Sequence, residues 1–151
     1  MKRIALVMLA ILFLSFTAAC TKMPEQVRNA KAFSEKSKVV QDNLQYEVKE
    51  YNFGKVVGEK VVEKGTYYNI RLEVSNIGSK DDSISGDKVF LEVQNGKIQP
   101  DKEMTKTAND GNFLDTTIKP GEKKTGWLVF RAQNMPQKAK LLVKESVIEI
   151  Q

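Results

Sequence analysis

The chain has 151 residues, 41% hydrophobic and 28% charged, which suits one folded domain with appendages and excludes disorder throughout. Histidine is absent, removing the commonest neutral-pH acid/base and the commonest transition-metal ligand. One cysteine excludes an intrachain disulfide, and a formal charge of +5 with scattered arginines excludes a nucleic-acid footprint of clustered Arg and aromatics.

The N-terminus divides into three zones. Met1-Lys2-Arg3 is cationic, Ile4 to Phe16 is apolar and uncharged, and Thr17-Ala18-Ala19 is small. That is the layout of a secretory signal, with small residues for a peptidase to grip. The apolar run from Ile4 to Ala19 is shorter than the roughly 20 residues of a membrane-crossing helix. The expectation is a signal peptide over 1–19, cut between Ala19 and Cys20. Lys2 and Arg3 leave with it, so 22 bases face 19 acids and the mature balance is +3, suited to an anionic membrane or wall surface.

The stretch "FTAAC", ending in Cys20, resembles the lipobox of bacterial lipoproteins. The resemblance implies a diacylglyceryl group on the Cys20 sulfur, cleavage before it, and acylation of the new amine with a fatty acid such as palmitate. Thr17 stands where that family usually has leucine. A free buried thiol and ordinary secretion are the alternatives. Each buried methylene is worth about 0.8 kcal/mol, so two acyl chains hold firmly where one is marginal.

Residues 20–38 are polar and charged and read as a lipidated N-terminus and tether, with a reach of roughly 60 Å if extended. Val27, Ala30 and Phe33 share a helical face behind Pro24, so a short helix is the alternative. From 39 to 151 the period changes to two. In "NLQYEVKEYNF", Leu44, Tyr46 and Val48 alternate with polar residues, then Tyr51 and Phe53 continue on the other parity, which predicts a β-bulge at Lys49-Glu50. "GKVVGEKVVEKG" predicts a hairpin or a strand with a loop between Gly54 and Gly65.

"TYYNIRLEVSN" predicts a strand with Tyr68, Ile70, Leu72 and Val74 buried and Asn69, Arg71, Glu73 and Ser75 wet. Asn95-Gly96 predicts a tight hairpin after Val89–Val93. Asp101 to Asn112, rich in Asp, Lys, Thr and Asn, reads as a loop. Pro120-Gly121 predicts a type II turn, followed by a strand with Leu128 and Phe130 on one face and Trp127 and Val129 on the other. "KAKLLVKESVIEIQ" closes the domain with one or two strands. Many short strands between glycine and proline turns predict an all-β sandwich or barrel.

The order of signals from Tyr67 onward is similar to the bacterial immunoglobulin-like lipoprotein domains of unknown function, the group resembling extracellular immunoprotective antigens. The positions carrying it are Asn76, Pro120, Gly121, Glu122, Gly126, Leu128, Val129 and Phe130. The resemblance implies an immunoglobulin-like antiparallel β-sandwich outside the cytoplasm, and it carries over no catalytic residues.

Candidate sites are few. Asp81, Asp82 and Asp87 supply oxygen ligands for calcium, or a solvated turn. Tyr67 and Trp127, with Lys123 and Lys124, form a candidate recognition surface if the aromatics point outward; the alternative is a strand buried on both faces. Without histidine a serine or cysteine nucleophile lacks its usual base, and no phosphate-cradling glycine loop appears. The resulting expectation is a non-enzymatic binding module without cofactor, lipid-anchored on the extracytoplasmic face of the cell membrane. Its partner would be an envelope protein or anionic polymer, not nucleic acid. A small-ligand or calcium-binding accessory protein is the alternative.

Overall fold

The alternation of apolar residues from Leu44 onward builds two antiparallel sheets that pack as a sandwich, as the all-β expectation requires. The structure, a computed structural model, describes residues 28–29, 37–94 and 96–150. The expected signal peptide, Cys20 and most of the tether lie outside these residues.

The first sheet contains β1 (Arg28–Asn29), β2 (Lys38–Gln41), β3 (Leu44–Gly54), β6 (Tyr67–Asn76) and β11 (Lys123–Arg131). Its order is β1-β3-β6-β11, with β2 also paired to β3. The second sheet runs in the order β13-β12-β8-β9, from β8 (Val89–Val93), β9 (Gly96–Ile98), β12 (Lys140–Val143) and β13 (Ser146–Glu149). Two small antiparallel pairs complete the strands: β4 (Val56–Val57) with β5 (Lys60–Val61), and β7 (Asp82–Ser83) with β10 (Thr117–Ile118).

Leu44, Tyr46 and Val48 point into the core, and the ladder then shifts between Val48 and Glu50. This bulge lets Tyr51 resume the inward face opposite Ile70, so the parity change in the sequence is a real irregularity of β3. Tyr68, Ile70, Leu72 and Val74 of β6 are fully buried against Leu91, Leu141 and Ile148 of the second sheet. A tight hairpin closed by the Val93–Gly96 pair joins β8 to β9, and β12 pairs with β13 across a two-residue turn. At Pro120-Gly121, Gly121 takes φ 76° and the Glu122 N–H donates to the Lys119 carbonyl at 2.9 Å, closing the expected turn.

Two expectations are corrected. Asn69 and Ser75 are buried rather than wet, and around Asn69 the outer face of the first sheet is covered. The cover is a second apolar cluster of Val57, Tyr67, Trp127 and Val129, joined by Val62, Met104 and Ala108. Met104 and Ala108 belong to a helix, α1 (Lys102–Asn109), where the sequence reading placed a loop. Asp101 caps it by accepting from the Met104 N–H at 3.1 Å, and Asp110 ends it in the left-handed region at φ 53°.

The strand β1 lies within the span read as tether, with Arg28 opposite Phe53 and Asn29 opposite Asn52. Part of that segment is therefore a sheet edge rather than free chain. At the far end of the same sheet, Lys144 pairs with Asp42 and the Ser146 hydroxyl donates to the Gln41 side-chain oxygen at 2.9 Å. These contacts tie the β2–β3 and β12–β13 turns together and leave the opposite end of the sandwich for a cleft.

Candidate functional site

Where β11 leaves the first sheet, the chain must cross to β12 in the second. The crossing is pinned at both feet: the Ala132 N–H donates to Thr66 O at 3.1 Å, and the Ile150 N–H donates to Ala139 O at 3.0 Å. Between these feet, residues 133–138 arch over the open end of the core, with Met135 packed against it. The β8–β9 hairpin pairs Leu91 with Ile98 and Val93 with Gly96, which sets Val93 and Ile98 on the same face as core residue Leu91. Arch and hairpin enclose a cleft of about 420 Å³, within the range of small-molecule and peptide sites.

The floor of this cleft is apolar, from Val93, Ile98 and Met135, and its rim is amide-rich, from Gln94, Gln133, Asn134 and Gln137. The Gln94 amide donates to the Gln137 side-chain oxygen at 3.4 Å, linking hairpin to arch across the mouth. Arg131 stands at one side, its guanidinium 5.7 Å from the Tyr67 ring and 3.4 Å from an Asp101 carboxylate oxygen. Amide side chains both donate and accept, so this rim matches peptide or other amide- and hydroxyl-bearing ligands over an aliphatic floor. The described lining residues include no carboxylate, thiol or hydroxyl, so the cleft offers binding groups and no nucleophile with its base. A smaller cavity of about 220 Å³ lies beside α1, lined by Thr105, Phe113, Leu114 and charged side chains.

The expected recognition residues do not come together on a surface. Tyr67 and Trp127 are 4% and 7% exposed and belong to the second apolar cluster, so the doubly buried alternative holds for them. Each is roofed by a cation, Arg131 over Tyr67 and Arg71 over Trp127 at 5.9 Å. Lys123 lies 3.6 Å from Glu73, while Lys124 donates to Thr117 O at 2.8 Å and lies 3.8 Å from Glu122. Both lysines are at the opposite end of β11 from the cleft.

The acidic loop is also dispersed. The Asp82 carboxylate accepts from the Ser83 N–H at 2.8 Å, and Asp87 faces Lys102 at 3.3 Å. Among the described residues no three acidic, cysteine or histidine side chains are placed together to hold a metal ion. Ala19 and Cys20 lie outside the described residues. No helix among the described residues is long and apolar enough to cross a membrane.

Charge on the outer face of the first sheet is paired. A Lys49 hydrogen bond holds the Glu47 carboxyl below the usual range, and the same contact raises Lys49. A Glu50 hydrogen bond at 2.8 Å raises Arg71, and the Lys144 contact lowers Asp42. The Glu47–Lys49 and Glu50–Arg71 pairs lie on the exposed part of that face, while Lys144 and Asp42 join turns of the two sheets at one end of the sandwich. The cleft was missed by sequence reasoning because "QNMPQ", Gln133 to Gln137, has the composition of any polar loop; Met135 and Pro136 inside it are the one signal that the loop carries apolar surface.

Three solved structures share the fold. The chain is similar to a conserved hypothetical protein from Bacillus anthracis at 18% identity and TM-score 0.63, over 83% of this chain and 98% of that one. A functionally unknown protein from Listeria monocytogenes EGD-e matches at 10% identity and TM-score 0.54, over 76% and 73% of the two chains. The yjhA protein from Bacillus subtilis matches at 16% identity and TM-score 0.52, over 81% and 87%. No curated protein matches the chain. A family model described as a domain of unknown function, DUF4352, matches residues 34–150, so every strand of the two sheets except β1, together with α1 and the cleft, falls inside it and the chain belongs to that family.

Proposed function

We propose that this chain is a lipid-anchored, non-enzymatic binding module of the bacterial cell envelope, with an immunoglobulin-like sandwich as its folded part. The observation that carries the binding half is the cleft at the Arg131 end, with its aliphatic floor and rim of four amides. Such a lining recognises a ligand by shape and hydrogen bonds and supplies no groups for bond breaking. The anchor half rests on the cationic, apolar and small zones before Cys20 and on the likeness of "FTAAC" to a lipobox.

A photoreactive residue at Gln133 in living cells tests the cleft. Crosslinks formed there are expected to disappear when Met135→Trp fills the floor. Crosslinks that survive the filled cleft unchanged contradict the binding reading. The cleft volume also fits a small-ligand accessory protein, and calorimetry against envelope-derived peptides and sugars separates a compact ligand from a macromolecular partner.

A further inference from the structure

We infer that the cleft end of the sandwich is held against the membrane, and that anionic lipid headgroups are the surface it meets. This rests on the anchor reading above. The first observation is the register of β1. Arg28 pairs antiparallel with Phe53, one residue before the end of β3, so β1 begins at the Gly54 end of the first sheet. Gly54 pairs with Tyr67 and Tyr67 with Arg131, which is the end of the first sheet that carries the cleft.

The second observation is length. From Cys20 to Arg28 there are eight residue steps, which span at most about 28 Å. From Phe53 to Leu44, at the other end of β3, the bulge takes up one step, so the strand spans the eight steps from Tyr68 to Asn76 opposite, or about 27 Å. The loops beyond Leu44 add further height. With β1 in place, a lipid on Cys20 cannot reach past the far end, so the domain cannot turn its Asp42 end to the bilayer.

The third observation is chemistry at the near end. Lys55, Lys64 and Lys138 are exposed in the connections there and make no ion pair among the described residues. Glu63 is the one acid in those same connections, and exposed Val61 stands beside it at 63%. Basic side chains around exposed apolar surface fit an anionic membrane interface. Any ligand of the cleft then enters from the space next to the membrane.

The test uses the full-length protein, purified with its lipid and placed in phosphatidylglycerol-containing bilayers. Lipid on Cys20 leaves an introduced cysteine as the only free thiol, so Gln137→Cys and Ser79→Cys each carry one fluorophore. Headgroup-attached quenchers are expected to quench the Gln137→Cys probe severalfold more than the Ser79→Cys probe. Replacing both β1 residues, Arg28→Pro with Asn29→Pro, removes their N–H donors and lengthens the leash, and is expected to erase most of that difference. Equal quenching in a lipidated chain, or a difference that survives loss of β1, overturns the orientation alone. Mass spectrometry finding Cys20 unmodified overturns the anchor and the orientation together.

Discussion

Gly126 shows how a single residue is fixed by close approach. A β-carbon there would lie 2.4 Å from the Phe113 ring and 2.7 Å from the Asn109 side-chain oxygen, far inside contact distance. Gly126→Ala is expected to lower stability by about 1–3 kcal/mol, measured by urea unfolding. Burial pushes the Tyr46 and Tyr68 hydroxyls well above their usual range, with nearby Asp82 adding to the shift of Tyr46 and Tyr51 to that of Tyr68. The unfolded chain loses these protons near pH 10 and the folded chain does not. Stability is therefore full below that point and falls as pH rises, by about 1.4 kcal/mol per pH unit for each tyrosine. Tyr46→Phe should flatten the alkaline limb of a stability–pH curve, and an unchanged limb would count against its burial. Glu47 has the opposite sign: its depressed carboxyl contributes above the usual carboxylate range, and that contribution is lost as pH falls through the folded value.

Among the elements, α1 has the clearest task. It lies along β11, the edge strand of the first sheet, and pairs with the backbone that a neighbouring strand would otherwise use. Asn109 accepts from the Trp127 N–H at 2.8 Å and donates to the Trp127 carbonyl at 2.9 Å. The Thr105 hydroxyl accepts from the Val129 N–H at 3.1 Å, and the Asp101 N–H donates to the Val129 carbonyl at 2.7 Å. An open edge of this kind is a template for aggregation, and here a helix closes it. Asn109→Ala is expected to cost about 2 kcal/mol through the unpaired Trp127 groups. It should also speed amide exchange at Trp127 and Val129 and raise aggregation on heating; exchange rates matching the parent would refute the capping role. The long strands β3 and β6 were legible because period-two alternation repeats over ten or more residues, while the strands of the second sheet, of three to five residues, were marked by their turns. The helix was not, since eight residues with Met104 and Ala108 as their apolar positions give too thin a stripe against a polar background. With α1 unread, Asn69 looked solvent-facing, and the facing of Tyr67 and Trp127 stayed open between a surface and a strand buried on both sides. The Asn69 amide instead donates to Asn52 at 2.7 Å and to Val56 O at 3.0 Å, holding β4–β5 over the sheet.

For the whole molecule, the two ends of the sandwich have different roles. One end is locked by Lys144 with Asp42 and by the Asn76 amide, which donates to Ile118 O at 2.7 Å and Lys80 O at 2.8 Å. The other end carries the arch, the cleft and the start of β1 at Arg28. The cleft was illegible in the sequence because its parts lie some forty residues apart, at Val93–Ile98 and at Arg131–Gln137, and neither has a motif of its own. The proposed envelope module depends on a lipid at Cys20. Cells fed a clickable fatty acid are the direct test, with wild-type protein compared with Cys20→Ala. The expected result is label on the wild type in the membrane fraction and none on the variant, which stays soluble or uncleaved. Equal labelling of the two proteins, or wild type without label, would contradict the anchor.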